Sequence, residues 1–274
     1  MKKTDLVKLL DALGIAPSKK LGQNFLIDAQ FLDWIVRTAG IRKDEHILEV
    51  GPGLGALTGR MLDAGADLTA IEFDRKLAEY LRRTLVPRGL KLIEGDACRV
   101  DFERVFGPGE DFRVVSNLPY SAGTVVIANL LDLALPPKEM FVMLQKEVGC
   151  RLTAETGTDD YSALTARLAA AYDSRIIRTV PPDLFHPRPE IDSCIIRMTR
   201  KADYPSFELR KILSRLARTA FAHRRKKMFR QTAAVFGEEP LKAAMEEAGV
   251  DPDIRAECVT PEQFLRMAEN LRKG

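Results

Sequence analysis

The length, composition and charge of the chain exclude several classes of protein. Its 274 residues suit one large domain with a smaller appendage, and a content of 46% hydrophobic and 30% charged residues excludes collagen-like and disordered classes. No apolar stretch is long enough to cross a bilayer, so we expect no membrane partner. The four cysteines are far apart in the sequence and no histidine lies at metal-ligand spacing from them; they are Cys98, Cys150, Cys194 and Cys258. This pattern predicts reduced thiols and no bound metal, in a cytoplasmic protein.

Short apolar runs alternate with helix-like segments through most of the chain. Asp28 is placed to cap a helix with apolar residues at helical spacing, and Gly40 is placed to end it. The spacing predicts strands over 46–50, 68–72, 91–94, 112–116 and 140–144. Helices are predicted over 56–64, 74–85, 123–133 and 146–154. This alternation predicts an α/β, doubly wound fold built from βαβ units on a parallel sheet.

Two further strands are predicted over 174–180 and 192–199. The proline-rich connection 181–189 excludes a crossover helix, so we expect an antiparallel pair that closes one edge of a seven-stranded sheet, after five parallel strands. Beyond this pair the pattern is helical, with helices predicted over 206–221, 224–235, 238–248 and 261–271. The sequence therefore predicts a first domain of residues 1–200 and a helical domain of residues 201–274.

The helical end of the chain is also its basic end. Residues 200–274 carry 16 lysines and arginines against 11 acids, although the net charge of the whole chain is only +3. The densest run spans 223–227, with Arg230 just beyond it. We expect this run to lie on one helix and to form a phosphate-binding strip. The alternative is that the charges only solvate an exposed helix face.

The first predicted strand runs into a glycine-rich turn that contains Gly51, Gly53 and Gly55. Glycines let the backbone approach a ligand closely beside a helix N-terminus. The spacing is G-x-G-x-G and no G-K-[ST] follows, so a dinucleotide or a triphosphate fits less well than an adenosyl ligand without phosphates. The alternative is a turn with only a structural role.

Acidic residues follow the next two predicted strands. Glu72 ends the second strand, where a carboxylate can accept hydrogen bonds from both ribose hydroxyls of an adenosine. Asp96 follows the third strand, and its carboxylate can accept a hydrogen bond from the adenine amino group. Either acid alone could be a cap or a turn residue. Because ligands of such sheets bind at the carboxyl ends of the strands, the convergence of three strand ends favours a binding site.

The fourth predicted strand leads into Asn117, Leu118, Pro119 and Tyr120. Pro119 fixes the backbone, so the Asn117 amide and a backbone carbonyl can point to one spot, while the Tyr120 ring offers a flat face. Such a site suits an exocyclic amino group on a planar base, whose attack on a sulfonium methyl needs alignment rather than a strong base. As a bare tetrapeptide the motif could be an ordinary turn.

Taken together, the motifs resemble the small-subunit (16S) ribosomal RNA adenine N6,N6-dimethyltransferase family. The matching segments lie in family order at 21–26, 49–55, 71–72, 95–97, 117–120, 144–148, 181–192 and 224–226. The chain departs from many relatives at 121–124, where it reads Ser-Ala-Gly-Thr, and this concerns only the wall of the pocket. The related 23S rRNA methyltransferases share the cofactor motifs, but segments 221–226 and 249–257 resemble the small-subunit enzymes.

The resemblance implies a Rossmann-like class I methyltransferase sheet, S-adenosylmethionine as methyl donor, and no metal. It implies that the N-terminal segment 1–27 lies over the cofactor, and that the cofactor contacts Asn24, Leu26, Gly51, Gly53, Glu72, Asp96 and Asn117. Tyr120 and Phe185 would stack on the target adenine, while Asn117 and the Leu118 carbonyl hold its amino group. The residues that would bind RNA phosphates are Arg224, Arg225, Lys226, Lys227 and Arg230.

These expectations define one function and three alternatives. The expected enzyme dimethylates N6 of two adjacent adenosines near the 3′ end of 16S rRNA, within the assembling small subunit, and acts as a monomer because no coiled-coil heptad is present. One alternative is a ribosome-assembly factor with a vestigial site, and another is a 23S rRNA methyltransferase. A small-molecule methyltransferase is the third, and it would leave the basic helical tail without a purpose.

Overall fold

The structure is a computed structural model that describes residues 3–17, 22–107, 109–223 and 225–273. The chain divides into two compact units. The first unit comprises Met1–Leu130, Leu135–Glu147 and Ile176–Arg197. The second comprises Leu131–Ala134, Val148–Arg175 and Met198–Gly274. The second unit therefore also includes segments that precede residue 200, the boundary that the sequence predicts.

The strands of the described residues form two sheets. Their bounds are β1 (Phe25–Leu26), β2 (His46–Val50), β3 (Asp67–Glu72), β4 (Lys91–Glu94), β5 (Arg113–Asn117), β6 (Glu139–Gln145), β7 (Tyr172–Val180), β8 (Phe185–His186) and β9 (Ser193–Arg200). The larger sheet has the order β4-β3-β2-β5-β6-β9-β7, and its first five strands pair in parallel. The smaller sheet pairs β1 with β8 in antiparallel register. The predicted seven-stranded, Rossmann-like α/β fold is confirmed.

The parallel strands β2, β3, β5 and β6 are buried along most of their length, which explains their nearly continuous apolar sequences, whereas the edge strand β4 is partly exposed. In β2, Ile47, Leu48 and Val50 are almost inaccessible to solvent. Val50 lies beside Ile71 of β3 in the register, so the two strands end together. The carboxyl ends of β2, β3 and β5 thereby meet at one edge of the sheet.

Seven helices are described in the first 152 residues. Their bounds are α1 (Lys3–Ala12), α2 (Ala29–Ala39), α3 (Ala56–Asp63), α4 (Arg75–Thr84), α5 (Phe102–Val105), α6 (Gly123–Leu131) and α7 (Lys146–Leu152). The predicted start and end of α2 are confirmed, because the Asp28 carboxylate accepts a hydrogen bond from the Phe31 N–H at 2.7 Å and Gly40 ends the helix with a φ of 65°. The sequence analysis missed α1, whose Leu6 and Leu10 pack in one apolar cluster with Phe25.

The second unit has its own helical core. Its helices are α8 (Ala163–Ala171), α9 (Phe207–Ala220), α10 (Phe229–Phe236), α11 (Glu238–Glu247) and α12 (Pro261–Lys273). Leu213, Leu216, Leu241, Met245 and Phe264 are buried together in one cluster. No helix in the described part of the chain is long and apolar enough to span a membrane.

The structure corrects the prediction that the basic run lies on one helix. The helix predicted over 224–235 begins at Phe229, and the described residues just before it form turns and bends. Lys227 forms an isolated antiparallel bridge with Arg255, and the Met228 N–H donates to the Ile254 carbonyl at 3.1 Å. These bonds to a distant segment replace the local bonds of a helical turn. The described residues of 223–227 therefore belong to the connection between α9 and α10.

Candidate active site

A cavity of about 270 Å³ opens at the carboxyl ends of the parallel strands in the first unit. Most of the residues predicted to form the site line it, and these are Asn24, Leu26, Gly51, Gly53, Glu72, Asp96, Asn117, Leu118 and Tyr120. Segments far apart in the sequence therefore meet in one place. Phe185 does not line this cavity.

The glycine-rich turn after β2 forms one wall of the cavity. Gly51 has a φ of +71°, and a Cβ atom there would lie 2.8 Å from Cγ of Pro119. Only glycine fits this backbone conformation and this close approach. The Gly53 N–H donates to the Glu72 carboxylate at 3.1 Å, which joins the turn to the end of β3. The two motifs therefore form one continuous polar surface.

Glu72 presents a buried carboxyl group to this surface. Besides Gly53, the Asp74 N–H donates to it at 2.9 Å. Burial nevertheless outweighs these hydrogen bonds and raises the pKa of Glu72 to about 7. The Asp96 carboxylate lies further along the wall and accepts a hydrogen bond from the Cys98 N–H at 2.9 Å. The carboxyl groups of Glu72 and Asp96 thus both belong to residues that line the cavity.

Glu49 also lines this cavity, and only 2% of its surface is exposed. The Thr58 hydroxyl donates to its carboxyl group at 2.7 Å. Burial raises the pKa of Glu49 to about 8, with a smaller contribution from the charge of Glu72. Glu49 is therefore mainly protonated at neutral pH, and its hydrogen bond with Thr58 joins the end of β2 to α3.

The substitution Glu49→Gln is expected to stabilise the protein at alkaline pH. Since the folded pKa of about 8 lies above the ordinary value of 4.5, the contribution of Glu49 is complete below about pH 4.5 and is lost as the pH rises through 8. The variant keeps a neutral side chain, so at pH 9 its free energy of unfolding should exceed that of the parent by about 2 to 4 kcal/mol. Denaturant unfolding at pH 5 and pH 9 measures this, and equal differences at both pH values would contradict it.

The motif after β5 also lines the cavity. The Asn117 side-chain N–H donates to the Asn24 carbonyl at 3.2 Å, and no described residue donates to its amide oxygen. The Tyr120 hydroxyl forms a hydrogen bond with the hydroxyl of Ser193, a fully buried residue of β9. The amide oxygen of Asn117 and the ring of Tyr120 are therefore both held in place at the cavity.

The sequence analysis missed two features of the site. Phe73, directly after Glu72, lines the cavity although 56% of its surface is exposed. A large aromatic residue beside a strand-end acid is the signal that could have identified it. The Gln23 amide donates to Asp74 at 3.3 Å, which connects the N-terminal segment to the start of α4. Both features place groups near the expected adenosine.

Phe185 is only 3% exposed and belongs to the hydrophobic core of the first unit. It pairs with Leu26, which does line the cavity. The structure thus places Phe185 on the strand beside a cavity residue. Its stacking on a target base stays a prediction.

The predicted RNA-binding residues belong to the second unit. Arg225, Lys226, Lys227 and Arg230 are exposed, and Lys227 forms an ion pair with Asp253 at 2.8 Å. Arg224 lies outside the described residues. Among the described residues no carboxylate pairs with Arg225, Lys226 or Arg230 in this structure. These three side chains are therefore free to contact a polyanion.

Comparison with solved structures defines the class of protein. The 23S rRNA methyltransferase ErmE aligns with a TM-score of 0.64 and 27% identity over 91% of this chain and 100% of its own. A dimethyladenosine transferase from Plasmodium falciparum aligns with a TM-score of 0.72 and 23% identity over 91% of this chain and 98% of its own. The fold is that of a Rossmann-like methyltransferase of the S-adenosylmethionine-dependent class.

The sequence comparisons define the family. The profile of the family described as Ribosomal RNA adenine dimethylase matches residues 16–273. Proteins named Ribosomal RNA small subunit methyltransferase A are 35% identical in Clostridium acetobutylicum, over 99% of both chains, and 37% identical in Myxococcus xanthus, over 96% of this chain and 94% of the relative. The chain belongs to the ribosomal RNA adenine dimethylase family, and the predicted enzyme class, an rRNA adenine dimethyltransferase, is confirmed.

Proposed function

We propose that this enzyme transfers methyl groups from S-adenosylmethionine to N6 of two adjacent adenosines near the 3′ end of 16S rRNA, in the assembling small ribosomal subunit. The observation that carries the proposal is that one cavity contains both the acids suited to an adenosine and the motif from Asn117 to Tyr120. The small-subunit names of its relatives support this choice of rRNA.

The lining of the cavity fits this cofactor. Its described residues include Glu49, Glu72, Asp74 and Asp96 but no lysine, arginine or histidine. A lining with acidic but no basic side chains suits a sulfonium cation and the hydroxyl and amino hydrogen-bond donors of an adenosine. The same negative charge disfavours phosphates. We propose that Glu72 accepts the ribose hydroxyls and that Asp96 accepts the adenine amino group. Asn24, Leu26, Gly51, Gly53 and Asn117 would complete the binding site.

The proposed mechanism requires alignment more than proton removal. When bound, the cofactor supplies a methyl group on a sulfonium, which is an electrophilic centre. The Asn117 amide oxygen and the Leu118 carbonyl would accept the two hydrogens of the adenine amino group and so orient its nitrogen lone pair. Tyr120 and Phe185 would hold the base between aromatic faces, because a base inside an RNA helix is out of reach. The proton is released after transfer, when the nitrogen is cationic.

The basic connection between α9 and α10 would bind the rRNA backbone. Arg225, Lys226 and Arg230 are exposed without carboxylate partners among the described residues, and phosphate contacts position a nucleic acid without reading its sequence. Arg224 and Lys227 complete the proposed set. We propose further that the enzyme acts as a monomer in the cytoplasm, and that it contributes to biogenesis of the small subunit.

Methyl transfer to ribosomal subunits tests the proposal. Labelled S-adenosylmethionine is incubated with small subunits that lack the modification, and with 23S rRNA as control, and the label is located by nuclease digestion. We expect dimethyladenosine at two adjacent positions of 16S rRNA and no label in 23S rRNA. Label in 23S rRNA alone would support the other rRNA class, and salt-sensitive subunit binding without transfer would support an assembly factor.

The substitution Ser193→Ala is expected to lower kcat/KM for methyl transfer about tenfold while the Kd of the cofactor changes little. The reason is that the variant removes the hydrogen bond that holds the Tyr120 hydroxyl, and leaves the cofactor acids unchanged. Steady-state kinetics and calorimetric titration measure the two quantities. The double variant with Tyr120→Phe should lose little more than either single variant, and additive losses would contradict the coupling.

A further inference from the structure

Arg178 lies on a stack of two aromatic rings at the edge of the larger sheet. Phe31 and Trp34 of α2 stack with ring centroids 5.4 Å apart and planes 7° apart. The Arg178 guanidinium of β7 lies 5.2 Å from the Phe31 centroid and 4.9 Å from that of Trp34, the sole tryptophan of the chain. Contacts with two rings fix the orientation of an otherwise flexible cation.

The positive charge of this stack is not neutralised by a neighbouring carboxylate. Arg178 is exposed, and its contacts in the described part of the chain are with the two rings rather than with a carboxylate. Asp33, the acid next to Trp34, is held by Arg60 at 2.6 Å. Arg37, one turn after Trp34, is a second exposed arginine without an ion pair among the residues described. The surface therefore concentrates positive charge beside a fixed guanidinium.

The chemistry of this surface fits a phosphate. Stacking uses the faces of a guanidinium and leaves its N–H edges to solvent, and these edges match the oxygens of a phosphate group. β7 is an edge strand, so no further strand covers it. Helix α2 also contributes Leu32 to the wall of the cavity, so the stack and the cavity share this helix.

We propose that the Arg178 stack, formed by Arg178, Trp34 and Phe31, is a contact for a backbone phosphate of the rRNA that flanks the target adenosines. This inference rests on the proposed function, because it takes RNA as the substrate. It adds a contact on the catalytic unit to those proposed for the second unit. The stack positions the RNA and takes no part in the chemistry.

The test compares Arg178→Ala and Arg178→Lys with a matched control, Arg83→Ala. Arg83 is an exposed arginine of α4, a helix that packs against β3 and β4 at the other end of the sheet. Binding to small subunits lacking the modification is measured over a range of salt concentrations. Arg178→Ala should weaken binding roughly tenfold and reduce the slope of log Kd against log salt by about one. Arg178→Lys should retain the slope but not the full affinity, and Arg83→Ala should leave both unchanged.

Fluorescence of the sole tryptophan gives a local readout. A 16S rRNA fragment containing the 3′-terminal adenosines should change the emission of Trp34 in the parent, and this change should be lost in Arg178→Ala. Equal affinity and equal salt slope for parent and Arg178→Ala would overturn the inference. A response of Trp34 to a polyglutamate peptide but not to RNA would overturn it in favour of an acidic protein partner. Failure of the parent to bind or methylate subunits would instead count against the proposed function.

Discussion

Replacing Asn117 with alanine is expected to lower kcat/KM for methyl transfer to rRNA by about 10² to 10³-fold, the usual cost of removing one preorganised polar contact from a reaction centre. Asn117 ends β5, and its N–H group is already engaged by the Asn24 carbonyl at 3.2 Å. The amide oxygen is thereby aimed and available to the adenine amino group. Without it the nucleophile loses an acceptor that aligns its lone pair.

The measurement is the rate of labelled methyl transfer to small subunits that lack the modification. Asn270→Ala on α12 is the matched control, since it removes the same side chain from a helix of the second unit and should retain parental activity. Asn117→Asp keeps an acceptor but loses the donor to Asn24, so its activity should lie between those of the parent and Asn117→Ala. Activity of Asn117→Ala above a tenth of the parental value would contradict the assigned role.

Replacing Glu72 with alanine is expected to weaken S-adenosylmethionine binding about 100-fold, because two hydrogen bonds to an ionised acceptor are lost. In the parent the affinity should also depend on pH. The pKa of Glu72 is about 7 because of burial, and the ionised form is the better acceptor for two hydroxyls. Raising the pH from 6 to 8 should therefore strengthen binding roughly tenfold.

Calorimetric titration across this pH range measures both effects. Glu94→Ala is a suitable control, because Glu94 ends the neighbouring strand in register with Glu72 but does not line the cavity. That variant should bind the cofactor with parental affinity and parental pH dependence. An affinity of the parent that does not change between pH 6 and 8 would show that Glu72 is not the titrating acceptor.

The central strands β2, β3, β5 and β6 were predictable because they are buried and carry continuous apolar runs. The ends of α2 were equally predictable, since Asp28 and Gly40 cap the helix through hydrogen bonds to residues close to them in the chain. The start of α10 was not, because the bridge between Lys227 and Arg255 joins segments that are distant in the sequence. Local propensity favours a helix there, and tertiary hydrogen bonds override it.

In the candidate site, too, features set by the local sequence were predictable and features set by distant contacts were not. Glu72, Asp96 and Asn117 follow predicted strands, and parallel strands bring their carboxyl ends together, so their convergence could be anticipated. The hydrogen bond between Tyr120 and Ser193 depends on the packing of chain segments 73 residues apart, which no local pattern reveals. The position of Phe185 beside Leu26 likewise depends on the pairing of two-residue strands that are too short to predict.

The hydrogen bond from Asn117 to the Asn24 carbonyl has a consequence for the order of events in double methylation. Each adenosine needs two methyl groups, so the spent cofactor must be exchanged between transfers. The segment around Asn24 lines the same cavity and is tied to the residue proposed to hold the adenine. Moving that segment aside for exchange would loosen the hold on the base. Any exchange of the cofactor that displaces this segment would therefore also weaken retention of the half-modified nucleotide between successive methyl transfers.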